Sequence, residues 1–585
     1  GHQHGMLHPT TRRRWVNAHA ALVAGTLAPG VREELAMSAQ NKTRLNVQES
    51  MACLSRRGFL RTTGMLGLGA AAMGLAGCGG SSDTSSASAG ADGTTTGGTL
   101  VISLPSSPKY LDPILYTGTY ESQIINCVCD TLVDYNMDLS EIVPVLATDW
   151  TISDDGLTYT FNLRSDAKFQ KGQYQDGRAV TADDIKYSLE RSAKESSMNR
   201  LSMLDHVDVV SDTTVNCVLN APAASFLTAL TDAGNVIVPK EEVEGWGDSF
   251  GDHLVGSGPF KLDQFLKDQE SDLSKNDTYW GPTPNLDGVT IKVVTDMTQA
   301  ANGLTTGELD MATSLTGESI QTIKNNSDLV MQQTPALHIA YVYFNQVNGP
   351  TADQRVRKAI LMAVNRDDLV KGVYPYGEAE TASLPLPKGS WGYDASVESD
   401  VPTYDPDAAK ALMEEAGYGD GLSLNLYISN TEARVKMGTI LQQTLKENLN
   451  IDLTINPSDW GTFSATAASG TADMYGMSWT WYPDPYFFLN KLFSSSEVGA
   501  LGNGAGFSHQ DVDDLLDKAL AVTDQDQRAD YYKQALKAIV SYDPMLVYAS
   551  EYVNTGLTTK VQGYEQRADS KIVIVNDEVN VSKTA

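Results

Sequence analysis

Leu422-Ser-Leu-Asn-Leu-Tyr-Ile428, residues 433–447 and Ile451-Asp-Leu-Thr-Ile455 together decide the fold class. In the first and last of these stretches apolar residues recur at every second position. That spacing places them on one face of a strand, because successive strand side chains point to opposite sides. The stretch between them reads as a helix. Strand, crossing helix and strand make a β-α-β unit, which favours mixed α/β lobes.

The same signals continue on either side. Tyr159, Phe161 and Leu163 alternate as a strand, and Thr181-Ala-Asp-Asp184 caps a helix that carries Ile185 and Leu189. Val356, Ala359, Ile360, Ala363 and Val364 fall at i, i+3, i+4, i+7 and i+8, one buried helical face. Asp405, Pro406 and Gly417 occupy the expected N-cap, N1 and C′ positions of another helix. Two amphipathic helices, at about 511–521 and 526–541, precede a short strand near 545–549. A chain of 585 residues is too long for one domain.

The formal charge is −30, from 43 Lys and Arg against 73 Asp and Glu. So acidic a chain repels a polyanion, which excludes nucleic acid as an expected partner. The charge is uneven: residues 1–77 carry +6 and residues 78–585 carry −36. Within the basic part, Ser55-Arg56-Arg57-Gly58-Phe59-Leu60-Arg61 matches the twin-arginine export signal. The weakly apolar run Gly64 to Gly77 that follows is too short to span a hydrocarbon core of about 30 Å. It ends in Leu75-Ala76-Gly77-Cys78, a lipobox pattern in which Cys78 is lipidated and becomes the new N-terminus. Residues 78–98 are expected to be a flexible Gly/Ser/Thr tether. Met51 lies at a normal signal length before Cys78 and is the expected start of translation.

Catalytic constellations are not evident. His206, His253, His338 and His509 stand apart from one another, with no zinc spacing. Cys127, Cys129 and Cys217 read as small buried thiols, although an oxidising compartment permits a disulfide from Cys217 to one of the pair. Gly256-Ser257-Gly258-Pro259 lacks the Lys of a phosphate loop, and Pro259 removes an amide donor. No cofactor is expected, and the chain is read as a binder rather than an enzyme. What stands out is an aromatic run around Pro483-Asp484-Pro485: Trp479, Trp481, Tyr482, Tyr486, Phe487 and Phe488. Alternation puts Trp479 and Trp481 on one strand face, a candidate aromatic wall for a ligand.

Ordered motifs then carry a resemblance. They include Gly156-Leu-Thr-Tyr-Thr-Phe-Asn-Leu-Arg164, Asp176-Gly-Arg-Ala-Val-Thr-Ala-Asp-Asp184, Gly256-Ser-Gly-Pro-Phe260, Asp353-Gln-Arg-Val-Arg-Lys-Ala-Ile360, Tyr482-Pro-Asp-Pro485 and Lys560-Val-Gln-Gly563. From about Gly98 to Tyr564 the chain resembles the family 5 extracytoplasmic solute-binding proteins of ABC transporters, the dipeptide, oligopeptide and nickel group. The resemblance implies a two-lobed periplasmic-binding-protein type II fold with an extra N-terminal domain and a hinged cleft. Residues 99–135, 256–348 and 546–585 would form the main domain of lobe one, 136–255 the extra domain and 349–545 lobe two. It also implies a monomer that captures a peptide-like solute and delivers it to permease subunits at the outer face of the cell membrane, held there by lipid at Cys78.

Peptide-binding members carry an Asp for the ligand's α-amine just before the Pro-Asp-Pro turn. Here that position falls at Trp481, and a common family Trp falls at Ser478. A neutral Trp cannot offset a desolvated ammonium as a carboxylate does. The expected pocket residues are Tyr110, Tyr116, Asn345, Trp391, Trp460, Ser478, Trp479, Trp481 and Tyr482. Alternative ligands on the same fold are an oligosaccharide or a metal chelate. Other classes are a solute receptor without transport and a surface hydrolase.

Overall fold

The computed structural model describes residues 97–584. Arg56, Arg57, Cys78 and the tether up to residue 96 lie outside the described residues.

The β-α-β unit is present. Leu422–Ser429 and Ile451–Ser458 are parallel neighbours, joined by the helix Glu432–Leu449. Leu424, Leu426 and Ile428 are buried while Ser423 and Asn425 face out. The helix lays Met437, Leu441, Leu445 and Leu449 on that apolar face at a spacing of four. It stops at Asn450, a left-handed residue (φ 54°) that turns the chain into the next strand.

These strands begin a twelve-stranded sheet. Met474–Thr480 runs parallel to Leu422–Ser429, and His338–Phe344 runs antiparallel to Met474–Thr480. Next comes Met545–Thr558, fourteen residues long. Its first half pairs with His338–Phe344 and Ala379–Thr381, its second half with Leu329–Pro335 and Met311–Ala312. Beyond it lie Thr99–Leu104, Gly288–Val293, Glu270–Lys275 and Phe260–Leu266. The chain therefore passes between the two halves of the sheet at residues 336–337 and again near Glu551.

One expectation changes here. The short strand near 545–549 is one half of a longer element, whose continuation Ser550-Glu-Tyr-Val-Asn-Thr-Gly556 is too polar to read as a strand. Its polar groups are nevertheless buried because they are bonded: Ser550 Oγ donates to the His338 carbonyl (2.8 Å) and Thr555 Oγ1 to Gln566 Oε1 (2.5 Å). The strand His338–Phe344 falls within the 256–348 segment. It is buried along its length and hydrogen-bonded on one edge to Met474–Thr480 and on the other to Met545–Ala549, so it joins the two groups of segments.

A separate four-stranded antiparallel sheet holds Ala147–Ile152, Thr158–Leu163, Thr214–Leu219 and Leu204–Ser211. Tyr159, Phe161 and Leu163 face its core, covered by the helix Ala182–Glu195 through Ile185 and Leu189. Thr181 and Asp184 form the capping box. Helix Gln354–Ala363 buries Val356, Ala359, Ile360 and Ala363; Val364 is also buried but lies one residue past its end. Asp405 caps Pro406–Glu415 by accepting from the Ala408 amide (3.0 Å). Cys127, Cys129 and Cys217 are free and buried, with no disulfide among them. Burial pushes the Cys127 thiol up to about 12, so it is inert at neutral pH.

Candidate ligand-binding site

Antiparallel pairing sets Thr480 opposite His338, at the end of the sheet where the chain crosses between its halves. Two cavities open there. One of about 500 Å³ is lined by residues from 314–317, 373–378, 432–436 and 551–554, together with His338 and Thr480. The other, of about 570 Å³, is lined by 429–434, Ser458, Asp459, Trp460, Met477, Ser478 and Glu551. They share Ala433 and Glu551, and both volumes suit a small solute, about 300–1,000 Å³ being usual for ligand sites.

Trp460 and Ser478 thus reach a cavity wall, Trp460 at 56% exposure from the first turn of the helix Trp460–Ala468. Trp479, Trp481 and Tyr482 adjoin the cavities without lining them. The Trp479 indole N–H donates to the Phe487 carbonyl (2.8 Å), and the half-exposed Trp481 ring stacks on Phe487 (5.5 Å, 24°). The turn behind them is anchored: Arg528 donates twice to the buried Asp484 carboxylate (2.9 and 3.0 Å). Trp391 belongs to that anchor, its ring 5.1 Å from the Arg528 guanidinium and packed edge-on to Tyr532.

Tyr116 and Tyr482 meet at Asp232. The buried Tyr116 hydroxyl donates to Asp232 Oδ1 (2.5 Å), the Tyr482 hydroxyl donates to Oδ2, and Arg200 pairs with the same carboxylate (2.9 Å). Burial and the Asp232 charge raise both phenols well above their ordinary value, which keeps them protonated donors. Tyr482 comes from the 349–545 segment and Asp232 from the 136–255 segment, so this cluster ties the two segments together.

Asn345 does not reach the cavities. It sits at the far end of its strand, about 20 Å from His338 by strand rise. Its amide donates to the Gly470 and Ala472 carbonyls, and its oxygen accepts from the Val347 and Asn348 amides. Tyr110 is half exposed, near Lys267 and outside both cavities.

Three residues that did not stand out in the sequence form the cavity walls. Glu551, on the long strand, accepts from the Tyr374 hydroxyl (2.8 Å). His338 is buried; its Nδ1 accepts from the Glu551 amide (3.1 Å), and its Nε2 has no hydrogen-bond partner among the described residues. Burial lowers the His338 pKa, against the opposing pull of Glu551. Arg434 is buried and donates to the Tyr548 hydroxyl (2.9 Å). A further cavity of about 500 Å³, between residues 126–145 and 571–578, shares no lining residue with these two.

Comparison with known proteins agrees with this architecture. The dipeptide-binding protein of Escherichia coli K12 is 29% identical over 496 residues, 80% of this chain and 92% of that protein. Heme-binding protein A of Haemophilus influenzae is also 29% identical, over 86% of this chain and 96% of that protein. Both relatives are binding proteins by name. Among solved structures, the ABC transporter-associated periplasmic binding protein DppA of Helicobacter pylori, in complex with peptide STSA, matches with a TM-score of 0.66 at 28% identity, covering 83% of this chain and 98% of that one. HbpA2 of Haemophilus parasuis shares the fold with a TM-score of 0.78 at 24% identity, over 83% of this chain and all of that one. Residues 141–500 match the family described as bacterial extracellular solute-binding proteins, family 5 Middle, and the chain belongs to that family.

Proposed function

We propose that this protein captures a peptide-like solute in the cleft beside Glu551 and delivers it to the permease of an ABC transporter. The observation that carries this is the pair of linked cavities at the crossing between sheet halves, with Tyr482 reaching over to Asp232. In this reading residues 99–135, 256–348 and 546–585 with the extra domain 136–255 close against 349–545. Ligand contacts made only in the closed form shift the population toward it. The mature chain acts as a monomer, exported by the signal around Arg56 and Arg57 and held at the outer face of the cell membrane through lipidated Cys78. Peptide relatives among the matched proteins support the ligand class.

A second reading, a metal chelate, draws on His338, whose Nε2 lies unpartnered in a cavity wall. Native mass spectrometry of the purified protein separates the two. Co-purified masses of short peptides are expected; a chelate or a sugar as the sole adduct would overturn the peptide reading.

A further inference from the structure

The cavity of about 500 Å³ between residues 126–145 and 571–578 shares no wall with the cleft, and a buried carboxylate stands in it. Asp130 is 8% exposed. Its Oδ2 accepts from the Ser257 hydroxyl and from the Trp280 indole N–H, both at 2.9 Å. Among the described residues its Oδ1 has no hydrogen-bond partner, and no Lys, Arg or His comes within ion-pair distance of the carboxylate. Buried carboxylates are ordinarily paired or fully hydrogen-bonded, since removing an ion from water costs several kcal/mol. Burial accordingly pushes the Asp130 carboxyl up, against those two bonds and the more distant charges of Lys571 and Arg164.

The cations nearby are held by other acids. Lys571 and Arg567 both pair with Asp134, and Arg164 pairs with Asp166. Five carboxylates and one Lys line the cavity, so its field favours a cation and opposes an anion. Three of the five, Glu141, Asp577 and Glu578, are exposed and have no ion-pair partner among the described residues. The Tyr279 and Trp280 rings, 5.1 Å apart, belong to the same wall, and Val143 and Val145 add apolar surface. Trp280 already holds the Arg164 guanidinium over its ring, 3.5 Å from the centroid, so this aromatic surface accepts cations. A metal ion is a poor fit, because no group of three or more His, Cys, Asp or Glu among the described residues is placed to hold one.

We propose that this cavity is a second ligand site, separate from the cleft, and that it takes a linear aliphatic polyamine. One ammonium meets the free oxygen of Asp130 and gives the buried carboxylate the partner it lacks. The aliphatic chain lies along Val143, Val145 and the Tyr279 and Trp280 rings. A second ammonium reaches the exposed carboxylates of Glu141, Asp577 and Glu578. The site does not depend on which solute the cleft captures, because the two share no lining residue.

The test is calorimetric titration of the full chain with spermidine, hexylamine and 1,6-hexanediol at about 150 mM salt, where exposed charges are screened beyond about 8 Å. Spermidine is expected to bind at one site per chain, hexylamine more weakly and the diol not at all. Asp130→Asn keeps an oxygen for Ser257 and Trp280 but removes the charge, and should lower spermidine affinity about 30-fold or more, the usual loss when one member of a buried charge pair is removed. The exposed double variant Asp577→Asn with Glu578→Gln should weaken spermidine about threefold and leave hexylamine unchanged, a readout that stands even where Asp130→Asn fails to fold. Trp460→Ala, in the cleft, should leave spermidine binding as it is. The proposal is overturned by absence of spermidine binding, by unsaturable uptake at many sites, by equal binding in a folded Asp130→Asn variant or in the double variant, or by loss of binding in Trp460→Ala.

Discussion

Trp460 and Asn345 were both expected in the pocket, and at the residue scale they separate. Trp460 presents a half-exposed ring to the cavity, so Trp460→Ala should lower ligand affinity about 10-fold, as for an aromatic anchor, and barely move the melting temperature. Asn345→Ala should do the opposite. It strands two carbonyls and two amides at a part-buried turn, at a cost of about 1–3 kcal/mol, with affinity by calorimetry unchanged. His338 supplies a pH signature. Its folded pKa lies below its ordinary 6.5, so below about that pH the unfolded chain binds the proton more readily and stability falls as pH drops. Melting temperatures at pH 7 and pH 5.5 should differ less in His338→Gln than in the parent, and His509, shifted the same way, remains in both. The aromatic run was legible because six rings crowd one stretch of sequence. Glu551, Arg434 and His338 were not, since each is a lone polar residue on its own segment and only strand pairing assembles them.

At the scale of elements, Gly256-Ser-Gly-Pro-Phe260 shows why a glycine-rich motif need not hold phosphate. A Cβ on Gly258 would sit 2.7 Å from the Val128 carbonyl carbon, and one on Gly256 would sit 2.4 Å from the Val128 oxygen. The glycines let this loop lie against the end of the helix Thr119–Val128, where Gln170 Nε2 donates to the Val128, Gly258 and Phe260 carbonyls. Gly258→Ala should therefore destabilise by about 1–3 kcal/mol or more, an overpacking cost, measured by denaturant unfolding. Helices and strands with one apolar face were readable from period alone, as for Leu422–Ser429 and Gln354–Ala363. The second half of Met545–Thr558 was not, because its buried faces are polar and satisfied by side-chain partners that local sequence does not reveal.

For the whole molecule, the Tyr482–Asp232 bond joins two segments that the proposed function assigns to opposing lobes. A hydrogen bond to a charged group contributes about 1.5–3 kcal/mol, so Tyr482→Phe should raise the open-to-closed ratio about tenfold or more. Small-angle scattering should show a larger radius of gyration without ligand, and an unchanged radius would place closure under other contacts. Arg200 and Tyr116 would keep Asp232 compensated in the variant, so the fold itself should hold. The three sealed thiols bear on where such a molecule can be made. No cross-link among the described residues waits on an oxidant, so this body can reach its final form in a reducing compartment as readily as in an oxidising one. In the export reading proposed above, folding and translocation can then occur in either order.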